Sequence, residues 1–286
     1  STVATMDYMF NTAKAFNAPL VWDTSAVTTM LGTFSNAKAF HRALDWDTSQ
    51  VTDMKETLSG AKVFDQTLAW DTSQVTNMES TLESAKAFNA PLVWDTSAVT
   101  TLGKMFKDAE AFNQPLVWDT SNATNMADTF RGAEAFNAPL DWDTSAVTKM
   151  RGTFSGTNSF KDDSVMRWDI SKVPASGLNG MFLNSGILTE PCTTKFIYDA
   201  WREDLMASWG LSSQAAKDRL TLAGFPLQMT ATECSPSPPP APPPSPPPPS
   251  PPHHGFVALR FDGGGGESWF TARKLCEDHS GRMAVV

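Results

Sequence analysis

Residues 18–40, APLVWDTSAVTTMLGTFSNAKAF, decide the fold, because the same unit returns with substitutions every 24 residues. Trp22, Trp46, Trp70, Trp94, Trp118 and Trp142 mark its register. A fixed period of this length is the signature of an array of small units that bury a core only by stacking on one another. Working outward from the Trp, other columns keep the same spacing. Phe16, Phe40, Phe64, Phe88, Phe112, Phe136 and Phe160 form one, and Leu20, Leu44, Leu68, Leu92, Leu116 and Leu140 a second. Met6, Met30, Met54, Met78, Met126 and Met150 form a third in which Leu102 stands in once. Ala13 to Ala133 form a fourth. The unit around Trp168 is irregular, its preceding segment and its VPASGLNGMF run each two residues longer, as terminal units of arrays commonly are.

Within one unit, Pro19 to Thr24 reads as a short strand with Leu20, Trp22 and Thr24 on one face and Asp23 on the other. Val27, Met30, Phe34 and Ala37 recur at spacings of three and four, which predicts a helical turn capped by Ser25 or Thr28. The expected fold is a repeat solenoid over residues 1–190, each coil one short strand plus one helical turn. The predicted core comprises Phe16, Leu20, Trp22, Met30, Phe34, Phe40, Leu44, Trp46, Trp70, Phe88, Trp94, Phe112, Trp118, Phe136 and Trp142.

The recurring W-D-T-S-x-V-T-x-M-x-x-x-F-x-x-A-x-x-F-N-x-x-L resembles the BspA-type surface-protein repeat, also called DUF285, from residue 1 to about residue 190. That resemblance implies a leucine-rich-repeat-like solenoid on secreted or cell-surface proteins of microbes and algae, with no assigned catalytic activity.

The columns admit more than one use. The Trp column could be a stacking platform for sugar rings, but its shared face with Leu20 favours a buried ladder. The Asp column, Asp23 to Asp169, could gather divalent cations, yet one carboxylate per coil falls short of what Ca²⁺ takes, and Asp before Thr-Ser favours turn chemistry. Thr24 and Ser25 suggest a hydroxyl array of the ice-binding kind, but they fall on opposite faces.

Twenty-two Lys plus Arg against 31 Asp plus Glu give a formal charge of −9, which argues against polyanions such as nucleic acid as the main partner. No apolar run approaches the ~18 to 20 residues of a membrane span, so no membrane insertion is expected. His41, His253, His254 and His279 do not form a set, and nucleophile-elbow, phosphate-loop and zinc-protease motifs are absent, so the chain is not expected to be an enzyme. The Gly-rich run around Gly263 to Gly266 reads as a loop.

Beyond residue 190 the period stops. Cys192 to Trp201 and Ser212 to Leu222 read as two amphipathic helices, and residues 191–234 are expected to form a helical cap closed by a Cys192–Cys234 disulfide. Algal examples of the repeat end in similar pairs of helices. Cys276 is left over and is expected to find its partner beyond Val286. All three cysteines suit a secreted, oxidising compartment.

Residues 235–252, SPSPPPAPPPSPPPPSPP, hold 13 of the 20 Pro and predict a polyproline II linker over 235–254, reaching roughly 56 Å across these 18 residues. The pattern resembles the hydroxyproline-rich glycoprotein segments of green-algal walls, which implies hydroxylation and O-glycosylation. Over 255–286, the order S-W-x-x-A-x-x-x-C, then G-x-x-A-x-V, resembles the opening of an α+β C-type lectin-like domain. The sugar and calcium ligands of such domains lie in their later half, so no cofactor is expected here, and calcium would enter only through residues beyond Val286. With a start at Ser1 rather than Met, the chain is expected to be a piece of a longer protein. The expected function is adhesion or recognition outside the cell, at a cell surface or in a wall, with extracellular glycans or surface glycoproteins as partners. The competing expectation is a structural wall glycoprotein without a specific sugar ligand.

Overall fold

The protein is described by a computed structural model over residues 3–226, and the chain divides into two units, Ser1–Cys234 and Ser235–Val286. The expected linker at 235–254 and the lectin-like start at 255–286, with Cys234 and Cys276, lie outside the described residues.

Consecutive 24-residue units lie one on the next, joined by parallel bridges that run Thr5, Thr29, Asp53, Asn77, Thr101, Asn125, Lys149. The strand predicted at Pro19 to Thr24 is not where the bridges form. Among the described residues bridging is confined to these isolated positions, ten residues further round the coil from Pro19 to Thr29. Among the described residues this segment makes no backbone bond from coil to coil; Pro19, Pro91, Pro115 and Pro139 lack the N–H a ladder needs, and the coils with Ala43 and Thr67 at that position are unpaired as well. The predicted alternation of faces nevertheless holds: Thr24 is buried while Val21 is 96% exposed.

The segment expected to be helical is a succession of tight turns. N–H of Thr33 donates to Met30 O (3.1 Å), Ser35 to Gly32 O (3.0 Å), Ala37 to Phe34 O (2.9 Å) and Phe40 to Ala37 O (3.0 Å). The intervening N–H groups leave the coil: Met30 donates to Asp53 O, Gly32 to Lys55 O, Phe34 to Thr57 O and Asn36 to Ser59 O, at 2.6 to 3.0 Å. A helix would direct these donors four residues back along its own chain, whereas here they link neighbouring units. Gly32 and Asn36, third residues of their turns, have φ of 59° and 58°, as a type II turn requires. The spacing of three and four that mimics a helix arises because each four-residue turn sends one side chain inward. Neither Ser25 nor Thr28 caps a helix; Thr28 instead donates its hydroxyl to Ala4 O at 3.1 Å.

The inward columns make one continuous core. Met30, Phe34, Phe40, Phe88, Phe112 and Phe136 are inaccessible or nearly so, with Leu44, Trp46, Trp70, Trp94, Trp118 and Trp142 close behind. Rings of one column stack coil upon coil, with centroids 5.9 to 6.1 Å apart from Phe40 through Phe64, Phe88 and Phe112. Three predicted core residues fall short. Phe16 and Leu20 are half-buried and Trp22 is 42% exposed; among the described residues the Phe16 and Trp22 rings stack along the array on Phe40 and Trp46 alone. Buried Thr33, Thr57, Thr81, Thr129 and Thr153 each share one hydroxyl between two Met or Leu carbonyls of adjacent coils, so the core admits them without an orphaned donor.

The longer unit around Trp168 absorbs its extra residues in 3₁₀ turns at Ser164–Arg167 and Ala175–Leu178. Cross-coil bonding then resumes, with Met150 N–H to Gly177 O (2.9 Å) and Phe154 N–H to Met181 O (2.8 Å). Helix α1 (Pro191–Trp209) starts on a Pro that needs no donor, and α2 (Ser213–Ala223) starts under Ser212, whose hydroxyl accepts Ala215 N–H at 3.2 Å. The carbonyls of Leu222 and Ala223 at the end of α2 accept N–H from Gly180 (2.7 Å) and Phe182 (2.8 Å), the same donors that elsewhere reach the next coil. Gly224 makes this approach feasible: its φ is 109°, and a Cβ there would stand 3.2 Å from Phe182 C and Leu183 N. Trp201 and Phe225 close over Phe182, with ring centroids 5.7 and 5.4 Å away.

Candidate interaction surface

The extended side of the coil, residues 17–25, is joined to its neighbours by side chains. Thr24 Oγ1 donates to Asp47 O (2.9 Å), and Thr48, Thr72, Thr96, Thr120 and Thr144 repeat the bond at 2.8 to 3.0 Å. Trp Nε1 reaches the other way, from Trp70 to Leu44 O and from Trp94 to Leu68 O (each 3.0 Å), and so on to Trp168 and Leu140 O. At the outer edge, side chains of the Asn17 column accept N–H from the equivalent residue one coil on. Asn17 Oδ1 takes His41 N–H (2.9 Å), Asp65 Oδ1 takes Asn89 N–H (2.8 Å), and Asn89 and Asn113 continue the series. Sequence reading missed this last ladder, although the Phe-Asn pair at 16–17, 88–89, 112–113 and 136–137 carried its signal.

These bonds decide the uses left open for the columns. The Trp faces from Trp46 to Trp168 are covered by one another, at centroid separations of 6.0 to 6.3 Å where the rings pair, so they offer no sugar platform. Thr24 and its equivalents are buried with their hydroxyls engaged, which removes them from any exposed hydroxyl array. In the Asp column each carboxylate accepts the N–H of the Ser two residues on, as Asp71 does from Ser73 at 3.0 Å. The Ser hydroxyl holds the carboxyl of Asp23 and Asp95 below the ordinary carboxylate range, the Ser N–H adding to it. At Asp47, Asp71, Asp119 and Asp143 the N–H leads and the hydroxyl adds. Among the described residues no three His, Cys, Asp or Glu side chains are grouped to hold a metal ion.

Side chains left pointing outward include Val21, Val93 and Val117, each more than nine-tenths exposed. Hollows open among the described residues. One of about 410 Å³ is bounded by Val3, Met6, Met9, Trp22 and Val27, and one of about 200 Å³ at the irregular unit by Trp142, Ser164, Arg167 and Trp168. His41 sits in the Asn17 column, with its Nε2 2.9 Å from Gln66 Nε2, and among the described residues no carboxylate or nucleophile bonds to it. Cys192 is disulfide-bonded; its expected partner, Cys234, lies outside the described residues, as does Cys276. No helix among the described residues is long and apolar enough to cross a membrane.

A family model described as "Mycoplasma protein of unknown function, DUF285" matches the chain in three overlapping stretches, residues 1–93, 41–139 and 115–197. No curated protein and no solved structure matches the chain.

Proposed function

The chain belongs to the DUF285 family, and from that premise we propose a non-catalytic role in adhesion or recognition outside the cell. In this reading a leucine-rich-repeat-like solenoid displays a lectin-like domain across a Pro-rich stalk, and the partners are extracellular glycans or surface glycoproteins. The observation that carries the reading is how the polar repeat columns are used. Trp Nε1 from Trp70 to Trp168, with Thr Oγ1, Asp and Asn side chains, is engaged in holding coil to coil or turn to turn, which leaves a periodic outer surface for an extended partner. The disulfide at Cys192 fits a secreted, oxidising setting. The stalk and the lectin-like start rest on the motifs of residues 235–286.

The test is binding of the full-length protein on a glycan array and in a cell-adhesion assay. Binding is expected, and binding indifferent to loss of both the repeat array and the lectin-like segment overturns the proposal. A structural wall glycoprotein is the second reading, favoured by 13 Pro within residues 235–252. Release only together with insoluble wall glycoproteins, without glycan affinity, would decide for it.

A further inference from the structure

One column of the repeat carries a run of positive charge. Lys14, Lys38, Lys62 and Lys86 follow one another at 24-residue intervals, and then the sign reverses at Glu110 and Glu134. Two other positions set opposite charges against each other from coil to coil, Lys55 with Glu79 (3.5 Å) and Lys107 with Glu83 (2.7 Å). In this column Lys86 is paired with Glu110, while Lys14, Lys38 and Lys62 are exposed and enter no ion pair among the described residues. The core fixes their alignment. Each of Lys38, Lys62 and Lys86 lies between a buried Ala and a buried Phe, and those Phe rings stack at 5.9 and 6.1 Å. Backbone bonds from Ala39 N–H to Lys14 O and from Ala87 N–H to Lys62 O, both 3.1 Å, tie the same edge. The ammonium groups therefore project from one edge at the coil spacing of about 4.8 Å. Arg42 joins them: its Nε is held by Asn17 O at 2.9 Å, which leaves the rest of the guanidinium turned to solvent.

A row of like charges repels itself, and among the described residues Lys14, Lys38 and Lys62 have no ion-pair partner to offset it. The contrast with the Asp column is direct, because there each carboxylate has its own Ser donors and here the lysines have none. We propose that the Lys14–Lys38–Lys62 edge, with Arg42, binds an acidic polysaccharide laid along the stacking direction. Three coils span about 10 Å between Lys14 and Lys62. That length takes a few sugar residues, and the coil spacing is close to the length of one pyranose in an extended chain, so carboxylates or sulfates fall in step with the lysines. Nucleic acid fits less well. Phosphates along a duplex strand recur at about 3.4 Å of axial rise, out of step with coils about 4.8 Å apart. This inference places a ligand on the repeat array itself, and it rests on the reading of the protein as a surface recognition protein.

The experiment titrates the full chain with polygalacturonate and with dextran sulfate at low and moderate salt. Wild type is expected to bind and to weaken as salt rises. The Lys14→Gln/Lys38→Gln/Lys62→Gln variant is expected to lose about tenfold or more in affinity. The Arg triple variant at the same positions should retain binding. A control triple, Lys149→Gln/Lys172→Gln/Lys217→Gln, removes the same charge away from the column and should stay within about twofold. The side chains exchanged are exposed, and unchanged thermal melts of the variants confirm that folding is intact. Failure of wild type to bind either polymer overturns the proposal, as does equal loss in the control triple or binding unaffected by the Gln triple. Equal affinity for polyglutamate or single-stranded DNA overturns the polysaccharide assignment. Adhesion that survives in the Gln triple leaves the surface role standing and removes this edge from it. Lysine-dependent binding in a protein that adheres to nothing removes the surface role and keeps the edge.

Discussion

On the side of each coil that runs from Val27 to Phe40 the backbone itself crosses to the next unit, whereas from Asn17 to Ser25 the crossing is left to side chains. The difference explains which letters repeat. A backbone bond is indifferent to the side chain above it, so the Leu31 position also holds Lys55, Glu79, Gly103, Ala127 and Arg151. A bond made by an indole or a hydroxyl needs that residue, so Trp, Asp, Thr and Ser return from Trp22–Ser25 to Trp118–Ser121 and Trp142–Ser145 unchanged. Stability and tolerance to substitution should divide along the same line.

The largest effect is expected at Trp94. Its ring lies between Trp70 and Trp118 and its Nε1 satisfies Leu68 O, so Trp94→Ala should cost ~3 to 5 kcal/mol by chemical denaturation. Lys149→Ala, an exposed position, should stay within about 0.5 kcal/mol. Equal losses at the two sites would break the comparison. Threonines separate the two sides more finely. Thr96 is buried and its hydroxyl is what binds Asp119 O, so Thr96→Val should cost about 1 to 2 kcal/mol. Thr100 is exposed and its backbone N–H already holds the Thr76 carbonyl its hydroxyl reaches, so Thr100→Val should move the denaturation midpoint hardly at all.

Turn positions sharpen the contrast from the other direction. Lys104 is held at a φ of 58°, so Lys104→Gly should stabilise the protein by up to about 1 kcal/mol in thermal melts. Gly60→Ala should destabilise, since φ is 70° and the added Cβ would stand 2.7 Å from Asn36 Oδ1. The smallest effect concerns acid. The Asp carboxyls of the Asp-Thr-Ser turns titrate below their ordinary value of 3.8 in the folded state. Their contribution is complete above that value and is lost as pH falls through it towards the lower folded values. Asp71→Asn/Asp95→Asn should therefore flatten the acid limb of a stability profile below about pH 4, and a limb unchanged in the double variant would show that these turns do not sense pH.

Much of this was legible in the order of the residues. The period, the inward columns and the outward Asp follow from a spacing of 24 and an alternation of two, which no other arrangement of Trp22, Leu20 and Asp23 satisfies as simply. What failed was the local conformation. Inward side chains at Val27, Met30, Phe34 and Ala37 suit a helix and a run of tight turns equally, and only the destination of the N–H groups separates them. The composition of the turns gave a faint signal, since Gly32 and Asn36, then Gly60, tolerate positive φ, but Glu56 and Lys104 at equivalent positions erase it. Pro19 already spoke against pairing in its segment. The Asn17 ladder was hidden for a further reason: His41 and Asp65 replace Asn there while still accepting the same bond.

The way α2 meets the array bears on assembly. Leu222 and Ala223 occupy the positions that a further coil would fill, so α2 acts as a chain terminator in the polymer sense, closing an edge that would otherwise template another strand. A variant that unseats it, for example Gly224→Val, would leave the N–H groups of Gly180 and Phe182 available to a second copy.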